Sequence, residues 1–369
     1  MSQWLFKMPV TIHFGSGSLE KLYTYATGRT VLVTDTGLRQ FDFLKEIEQK
    51  LNPVAVFSEV NPNPTVANVD SLAAVLREIK ADAVIAVGGG SVMDCAKAAC
   101  CLAQTTEPSI RSFHTGGMKF DIAGIPLITI PTTAGTGSEV TPFAVLDDTE
   151  KGVKGPIASD FFYPVAAVID PTLTWSLPKS ITAATGLDAL SHAMEGYWSK
   201  NHQPLCDLMA QEAARLIFIN LPKVYANPSD REAREAMSYA AVLAGMAFQL
   251  PKNAMVHACS FPLSNRYHMS HGAACAFTLE FALKLNAPAM NGRMEAFAAY
   301  CGFDSIDAMA QAIRTLKADG GLPCSLHAVG ISKDEIDVLV KESFHPLMNN
   351  NPVEITAEHL YQMYTDLAK

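Results

Sequence analysis

The sequence predicts an α/β half built on a parallel sheet, followed by an all-helical half. Three observations carry this expectation. Up to Asp170, short β-branched apolar runs alternate with segments of helical periodicity, the pattern of parallel strands joined by crossover helices. From about Ile181 onward the segments are long and rich in Ala and Met, with no strand pattern. The chain has 369 residues, more than one hydrophobic core usually serves. Pro171 and Pro178 punctuate the change, so a boundary is expected near Ser176 to Lys179, giving domains 1–177 and 178–369.

The elements follow in order. TVLVTD (Thr30 to Asp35) and PVAVFSEV (Pro53 to Val60) read as buried strands, separated by a polar, periodic stretch. NPNPT (Asn61 to Thr65) is a turn cluster, and VANVDSLAAVLREIKA carries apolar residues at helical spacing. ADAVIAVGGGS is a strand running into glycines, with a helix expected from Ser91. IPLITIPTTAGTGSE is a strand entering a Gly/Thr loop, and AAVID (Ala166 to Asp170) closes the series. In the second half, CDLMAQEAARLIFINLPKVY and REAREAMSYAAVLAGMAF are expected helices.

Apolar residues make up 49% and charged residues 18%, enough for a large core. The formal net charge of -9 argues against a nucleic-acid partner, which requires a basic surface. No apolar run reaches the roughly 20 residues needed to span a bilayer, and no signal-peptide pattern opens the chain. The eight cysteines form no CxxC pair, so free buried thiols and a cytoplasmic setting are expected.

Two loops suit phosphate. GGGS (Gly88 to Ser91) ends a strand and opens a helix, where free N–H groups and the positive end of the helix dipole favour an anion. The plain alternative is a tight βα turn, because the motif is not the dinucleotide fingerprint GxGxxG. PTTAGTGSE (Pro131 to Glu139) also follows a strand and offers hydroxyls from Thr132, Thr133, Thr136 and Ser138. Two such loops at strand ends point to a dinucleotide at the carboxyl edge of the sheet. Asp35 stands where a carboxylate accepts hydrogen bonds from a ribose and repels a 2′-phosphate, favouring NAD over NADP. Its alternative role is that of a surface turn residue.

Asp188 and His192 stand at i and i+4, so on a helix they lie one above the other and can share one ion. VHACSFPLSNRYHMSHG supplies His257, His268 and His271. This chemistry suits Fe(II), Zn(II), Mn(II), Co(II) or Ni(II). Each residue alone also fits an ordinary hydrogen bond or a satisfied core histidine, and composition does not separate His268 from His271.

With these motifs in order, the chain resembles the iron-containing (group III) alcohol dehydrogenase family. FGSGSLEKL, TDTG, NPNPT, GGGSVMDCAKA, PTTAGTGSEVT, VIDPTLT, GLDALSHAMEGY and the closing His-Gly pair carry the resemblance over essentially the whole chain. It implies a dinucleotide domain followed by a helical one, NAD(H) and Fe2+ as cofactors with Zn2+ as an alternative, a small aldehyde or alcohol as substrate, and a homodimer. The metal ligands fall on Asp188, His192, His257 and His271, the last chosen over His268 because it precedes Gly272. Cofactor contacts fall on Gly89, Gly90, Ser91 and Asp94, on Thr132, Thr133, Thr141 and Lys154, and on Asp35 and Asn63 at the adenosine side. The implied chemistry is hydride transfer between NADH and a carbonyl polarised by the metal.

One departure stands out. Many members carry a second histidine four residues after the third ligand, where this chain has Phe261. Members with an aromatic residue there resemble reductases of two-carbon aldehydes bearing a sulfonate or phosphonate. Lys252, Asn253, Arg266 and His268, with the run Asn349 to Asn351, are the candidate donors to such an anion beside Phe261, solvated surface being the alternative role of Lys252 and Arg266. Rival expectations are a zinc-dependent polyol dehydrogenase, a lyase resembling dehydroquinate synthase, and a non-catalytic protein with a structural metal.

Overall fold

The computed structural model describes residues 3–369. The chain divides into two compact units. One holds Lys7–Thr133 and Ser138–Thr174; the other holds Trp175–Lys369, joined by Ala134–Gly137 and an N-terminal piece ending at Phe6.

The first unit is built on six parallel strands: β1 (Thr11–Phe14), β2 (Thr30–Val33), β3 (Ala55–Phe57), β4 (Ala83–Gly88), β5 (Leu127–Pro131) and β8 (Ala166–Ile169). Their spatial order is β1-β8-β5-β4-β2-β3, and every neighbouring pair is parallel. The runs read as continuously apolar because both faces are covered. Val31 and Val33 join one core cluster, while Leu32 between them joins another. Helices α1 (Asp42–Leu51), α2 (Val66–Ile79), α3 (Gly90–Leu102) and the short α4 (Arg111–His114) complete the unit. Thr65 caps α2 through a capping box with Asn68, which is how the NPNPT turn delivers the chain into a helix.

The parallel sheet agrees with the sequence, with two differences. The strands are shorter than their apolar runs; β3 is an edge strand paired to β2 over Ala55–Phe57 only, so the flanks of Pro53 to Val60 have no ladder to join. An antiparallel hairpin, β6 (Phe143–Asp148) with β7 (Val153–Ala158), was not expected.

In the second unit no strand occurs among the described residues. Its helices are α5 (Lys179–Trp198), α6 (Pro204–Ala226), α7 (Arg231–Phe248), α8 (Met255–Tyr267), α9 (His271–Asn286), α10 (Arg293–Tyr300), α11 (Ile306–Asp319), α12 (Ile336–Ser343) and α13 (Ala357–Leu367). α5 is the central one: nearly every residue from Thr182 to Trp198 is buried, and it packs against α6, α7 and α9. A helix apolar on all sides belongs in a core, so the acidic and imidazole side chains that α5 buries there, Asp188, His192 and Glu195, demand partners.

Candidate functional site

In the helical unit, three helices bring polar side chains to one point. α5 contributes Asp188 and His192 from successive turns, α8 contributes His257 from its first turn, and α9 begins with His271. α9 can approach α5 because its second residue is Gly272, where a Cβ would run into the Ala184 carbonyl and stand 3.0 Å from the Asp188 Cβ. The Asp188 Oδ1 lies 3.7 Å from Nε2 of His257 and 3.7 Å from Nε2 of His271. The Nε2 atoms of His192 and His257 face each other at 3.0 Å. His268 is outside the cluster: it is the left-handed C-cap of α8, with φ 55°.

Glu195, one turn beyond His192, sets the chemistry of His257. Its carboxylate accepts the Val256 N–H at 2.7 Å and binds the His257 Nδ1 at 2.6 Å. With the Nδ1 proton directed at Glu195, the Nε2 lone pair is left facing the cluster, the arrangement a metal-binding imidazole requires.

The charges are those of a cation site. Burial pushes the Asp188 carboxyl up to about 6, against an opposing pull from His257. Burial, then the neighbouring His257 and His271, hold His192 well below its usual range, so it is a neutral donor. Asp188 Oδ1 is buried with no hydrogen-bond partner, a costly state for a carboxylate oxygen unless a cation answers it. Donor atoms bonded at about 2.1 Å to one ion stand about 3 to 3.4 Å apart, close to the spacings here. The residues therefore fit a divalent metal.

One member of the cluster was not expected from the sequence. Cys275, at i+4 from His271, places its Sγ 3.8 Å from His271 Nε2. Donor atoms of Asp188, His257, His271 and Cys275 all lie within 4.8 Å of one another, whereas His192 joins the group through His257. The i, i+4 spacing that marked Asp188 and His192 was equally present here, but a small apolar-looking residue in HGAACAF reads as core.

In the α/β unit, the adjacent strands β2, β4 and β5 bring Asp35, Gly88 to Ser91 and Pro131 to Thr133 to one edge of the sheet. α3 begins at Gly90, one residue before the expected start, with Gly89 as its N-cap. The Thr132 N–H donates to the Gly88 carbonyl at 3.0 Å, and a Cβ on Gly89 would stand 3.6 Å from Thr133 Oγ1, so the two loops lie side by side. The Asn63 N–H donates to Ser91 Oγ at 3.2 Å, and Lys154 Nζ, on β7, donates to Asn63 Oδ1 at 3.0 Å. The unexpected hairpin is thus what brings Lys154 to the N-terminus of α3.

Beneath the loops lies a buried polar network. Asp94 accepts from Ser138 Oγ at 2.6 Å and from the Val145 N–H at 2.8 Å. Lys97 Nζ donates to Ser138 Oγ at 2.7 Å and the Phe143 carbonyl at 2.8 Å, with Thr141 Oγ1 at 3.4 Å. Burial pushes the Lys97 ammonium down to about 8 and the Glu139 carboxyl up to about 7. Asp94 and Thr141 therefore fasten the hairpin and second loop to α3. Asp35 Oδ1 accepts the Leu38 N–H at 2.9 Å, the turn role foreseen as its alternative, at the end of β2.

The candidate anion donors are more dispersed. Arg266 pairs with Glu342 at 2.9 Å on the exposed side of α8. Asn350 Nδ2 donates to the Asn253 carbonyl, and the Asn351 amide exchanges hydrogen bonds with Asn286, so these amides serve internal packing. Lys252 is exposed with φ 66°. The Phe261 ring meets His345, at 4.9 Å between centroids.

Glycine loops at parallel strand ends and a His/Asp cluster in a helical unit are the parts of a metal-dependent oxidoreductase. Residues 9–171 match the family model for iron-containing alcohol dehydrogenase, and residues 182–368 match that for the C-terminal region of the same family; the chain belongs to the iron-containing alcohol dehydrogenase family. It is similar to a sulfoacetaldehyde reductase from Bifidobacterium kashiwanohense, solved with NAD+, at 42% identity and TM-score 0.95 over 100% of both chains. It is 33% identical to alcohol dehydrogenase 4 of Saccharomyces cerevisiae over 96% of each chain. It is 36% identical to 1,3-propanediol dehydrogenase of Klebsiella pneumoniae, covering 85% of this chain and 84% of that one.

Proposed function

We propose that the protein is a metal-dependent, NAD(H)-linked reductase of a small aldehyde, with an anionic two-carbon aldehyde such as sulfoacetaldehyde as its preferred substrate. The observation that carries the reaction class is the convergence of His257 and His271 on the buried Asp188 Oδ1, which has no hydrogen-bond partner, with His192 against His257. The substrate reading is supported by similarity to the sulfoacetaldehyde reductase and by Phe261 in place of a second histidine.

Asp188, His192, His257 and His271 would hold the metal. When bound, the ion supplies Lewis-acid polarisation of a carbonyl and NADH supplies the hydride. The chain does the positioning. The N-terminus of α3, with Gly89, Gly90 and Ser91, offers N–H groups to a pyrophosphate. Asp35 and Asn63 are assigned to the adenosine side, and Thr132, Thr133 and Lys154 to the remainder of the cofactor. Glu195 holds His257 in its donor tautomer. Phe261 has no proton to give, and its neighbour His345 is kept toward the neutral form by burial. Protonation of the product is then left to solvent, a cofactor hydroxyl or a side chain other than Phe261.

The test is NADH oxidation by the iron-loaded protein with sulfoacetaldehyde, phosphonoacetaldehyde, acetaldehyde and lactaldehyde. Sulfoacetaldehyde is expected to give the highest kcat/KM; equal or better turnover of acetaldehyde would sink the anionic-substrate reading. His271→Ala is expected to lose the metal and nearly all turnover while keeping its circular dichroism, whereas full activity in a metal-free preparation would remove the metal from the reaction. The zinc-dependent polyol rival has its support in the similarity to 1,3-propanediol dehydrogenase, and glycerol or propanediol oxidation by the zinc-loaded protein separates the two.

A further inference from the structure

We propose that Cys275 is a fifth protein donor to the metal, a sulfur ligand that biases this centre toward zinc or cobalt over iron. The inference rests on the reading of the cluster as a metal site. Cys275 and His271 repeat on α9 the i, i+4 pairing of Asp188 and His192 on α5, so both pairs present their tips one above the other. Sulfur and nitrogen bonded to one ion at about 2.3 and 2.1 Å stand about 3.6 Å apart, and Cys275 Sγ lies 3.8 Å from His271 Nε2. The same thiol falls within 4.8 Å of the donor atoms of Asp188 and His257. The buried Asp188 Oδ1 stands 3.7 Å from Nε2 of His271 in the same group. Of the other buried thiols, Cys95, Cys100 and Cys101 sit in the apolar core of the α/β unit, while Cys206, Cys259 and Cys301 share the helical unit; among the described residues only Cys275 belongs to the metal-suited cluster.

The chemistry follows from the donor set. A thiol binds as thiolate, so metal uptake would release the Sγ proton to solvent in addition to any from the histidines. Thiolate is a soft ligand, which suits zinc and cobalt better than an all-oxygen-and-nitrogen set does.

The experiment is titration of the metal-free protein with cobalt(II), read by absorption spectroscopy, for the unmodified chain and for Cys275→Ser. A near-ultraviolet thiolate-to-cobalt charge-transfer band is expected in the unmodified chain and lost in Cys275→Ser, with the visible d–d bands retained in both. The zinc-to-iron affinity ratio, measured by competition, is expected to fall in the variant. Cobalt binding with d–d bands but no charge-transfer band in the unmodified chain overturns the proposal and leaves the metal centre standing. No cobalt binding overturns both. A band that persists in Cys275→Ser assigns the sulfur elsewhere and also overturns it. Because the unmodified chain alone can decide against the idea, a poorly folded variant does not rescue it; Cys275→Ala serves as the second variant.

Discussion

At the residue scale, a buried carboxyl of the α/β unit ties stability to pH. Glu139 is buried beside the second loop, and burial raises its carboxyl from 4.5 to about 7. A raised acid binds more protons in the folded than in the unfolded chain between those two values, so stability falls as pH rises through this window. A tenfold change in such a proton-binding equilibrium is worth about 1.4 kcal/mol. Glu139→Gln is therefore expected to flatten the pH dependence of the urea midpoint between about pH 4.5 and 7 and to stabilise the protein at pH 8. An unchanged slope would show that Glu139 is not the group responsible. The sequence displayed Glu139 only as the end of a Gly/Thr loop; its burial comes from tertiary packing that no local pattern encodes. The candidate metal ligands were more legible, because Asp188 and His192 carry their geometry in their spacing. His271 was not separable from His268 by residue type. The distinction arises because α8 ends in a left-handed turn at His268 and a new helix starts three residues later.

At the scale of elements, the α5–α9 crossing sets the spacing of the cluster. Gly272 lets the two backbones approach, and any side chain there meets the Ala184 carbonyl. Gly272→Ala is expected to cost about 1–3 kcal/mol of stability, the usual range for overpacking. It should also weaken metal affinity by moving His271 away from Asp188, while leaving NADH binding to the α/β unit intact. Unfolding and metal titration followed in parallel test this; wild-type values in both would mean the close approach is dispensable. The hairpin shows why one element escaped the sequence reading. Phe143 to Asp148 alternates between part-buried and buried positions, a legible strand signature, but its turn is charged and its partner strand contains Gly155 and Pro156. Its role became apparent from the hydrogen bond between Asp94 and the Val145 N–H and from Lys154 reaching Asn63.

For the whole molecule, strand–helix alternation followed by purely helical periodicity was enough to give the architecture, because each half is internally consistent in its hydrophobic period. Two units with separate cores also shape unfolding, which need not be a single transition. A ligand at 100 times its Kd stabilises the state that binds it by about 2.7 kcal/mol. Differential scanning calorimetry is therefore expected to show metal removal by a chelator lowering the transition of the helical unit, and NADH raising that of the α/β unit. If either treatment moves both transitions equally, the units melt as one body and the prediction fails.

The segment Ala134–Gly137 has a practical consequence for dissecting the protein. It lies inside the loop after β5, yet it belongs with the helices, and the chain accordingly passes from one unit to the other four times. At Gly137, with φ 62°, a Cβ would collide with the Gly245 Cα, and at Gly135 it would stand 2.7 Å from the Thr185 Cβ. A fragment cut at the obvious proline-marked junction would carry this tetrapeptide away from its partners, and a chimera joined there would pair it with a foreign α5 and α7. Successful domain exchange within this family should therefore move the tetrapeptide and the N-terminal piece ending at Phe6 together with the helical half, as three grafts rather than one.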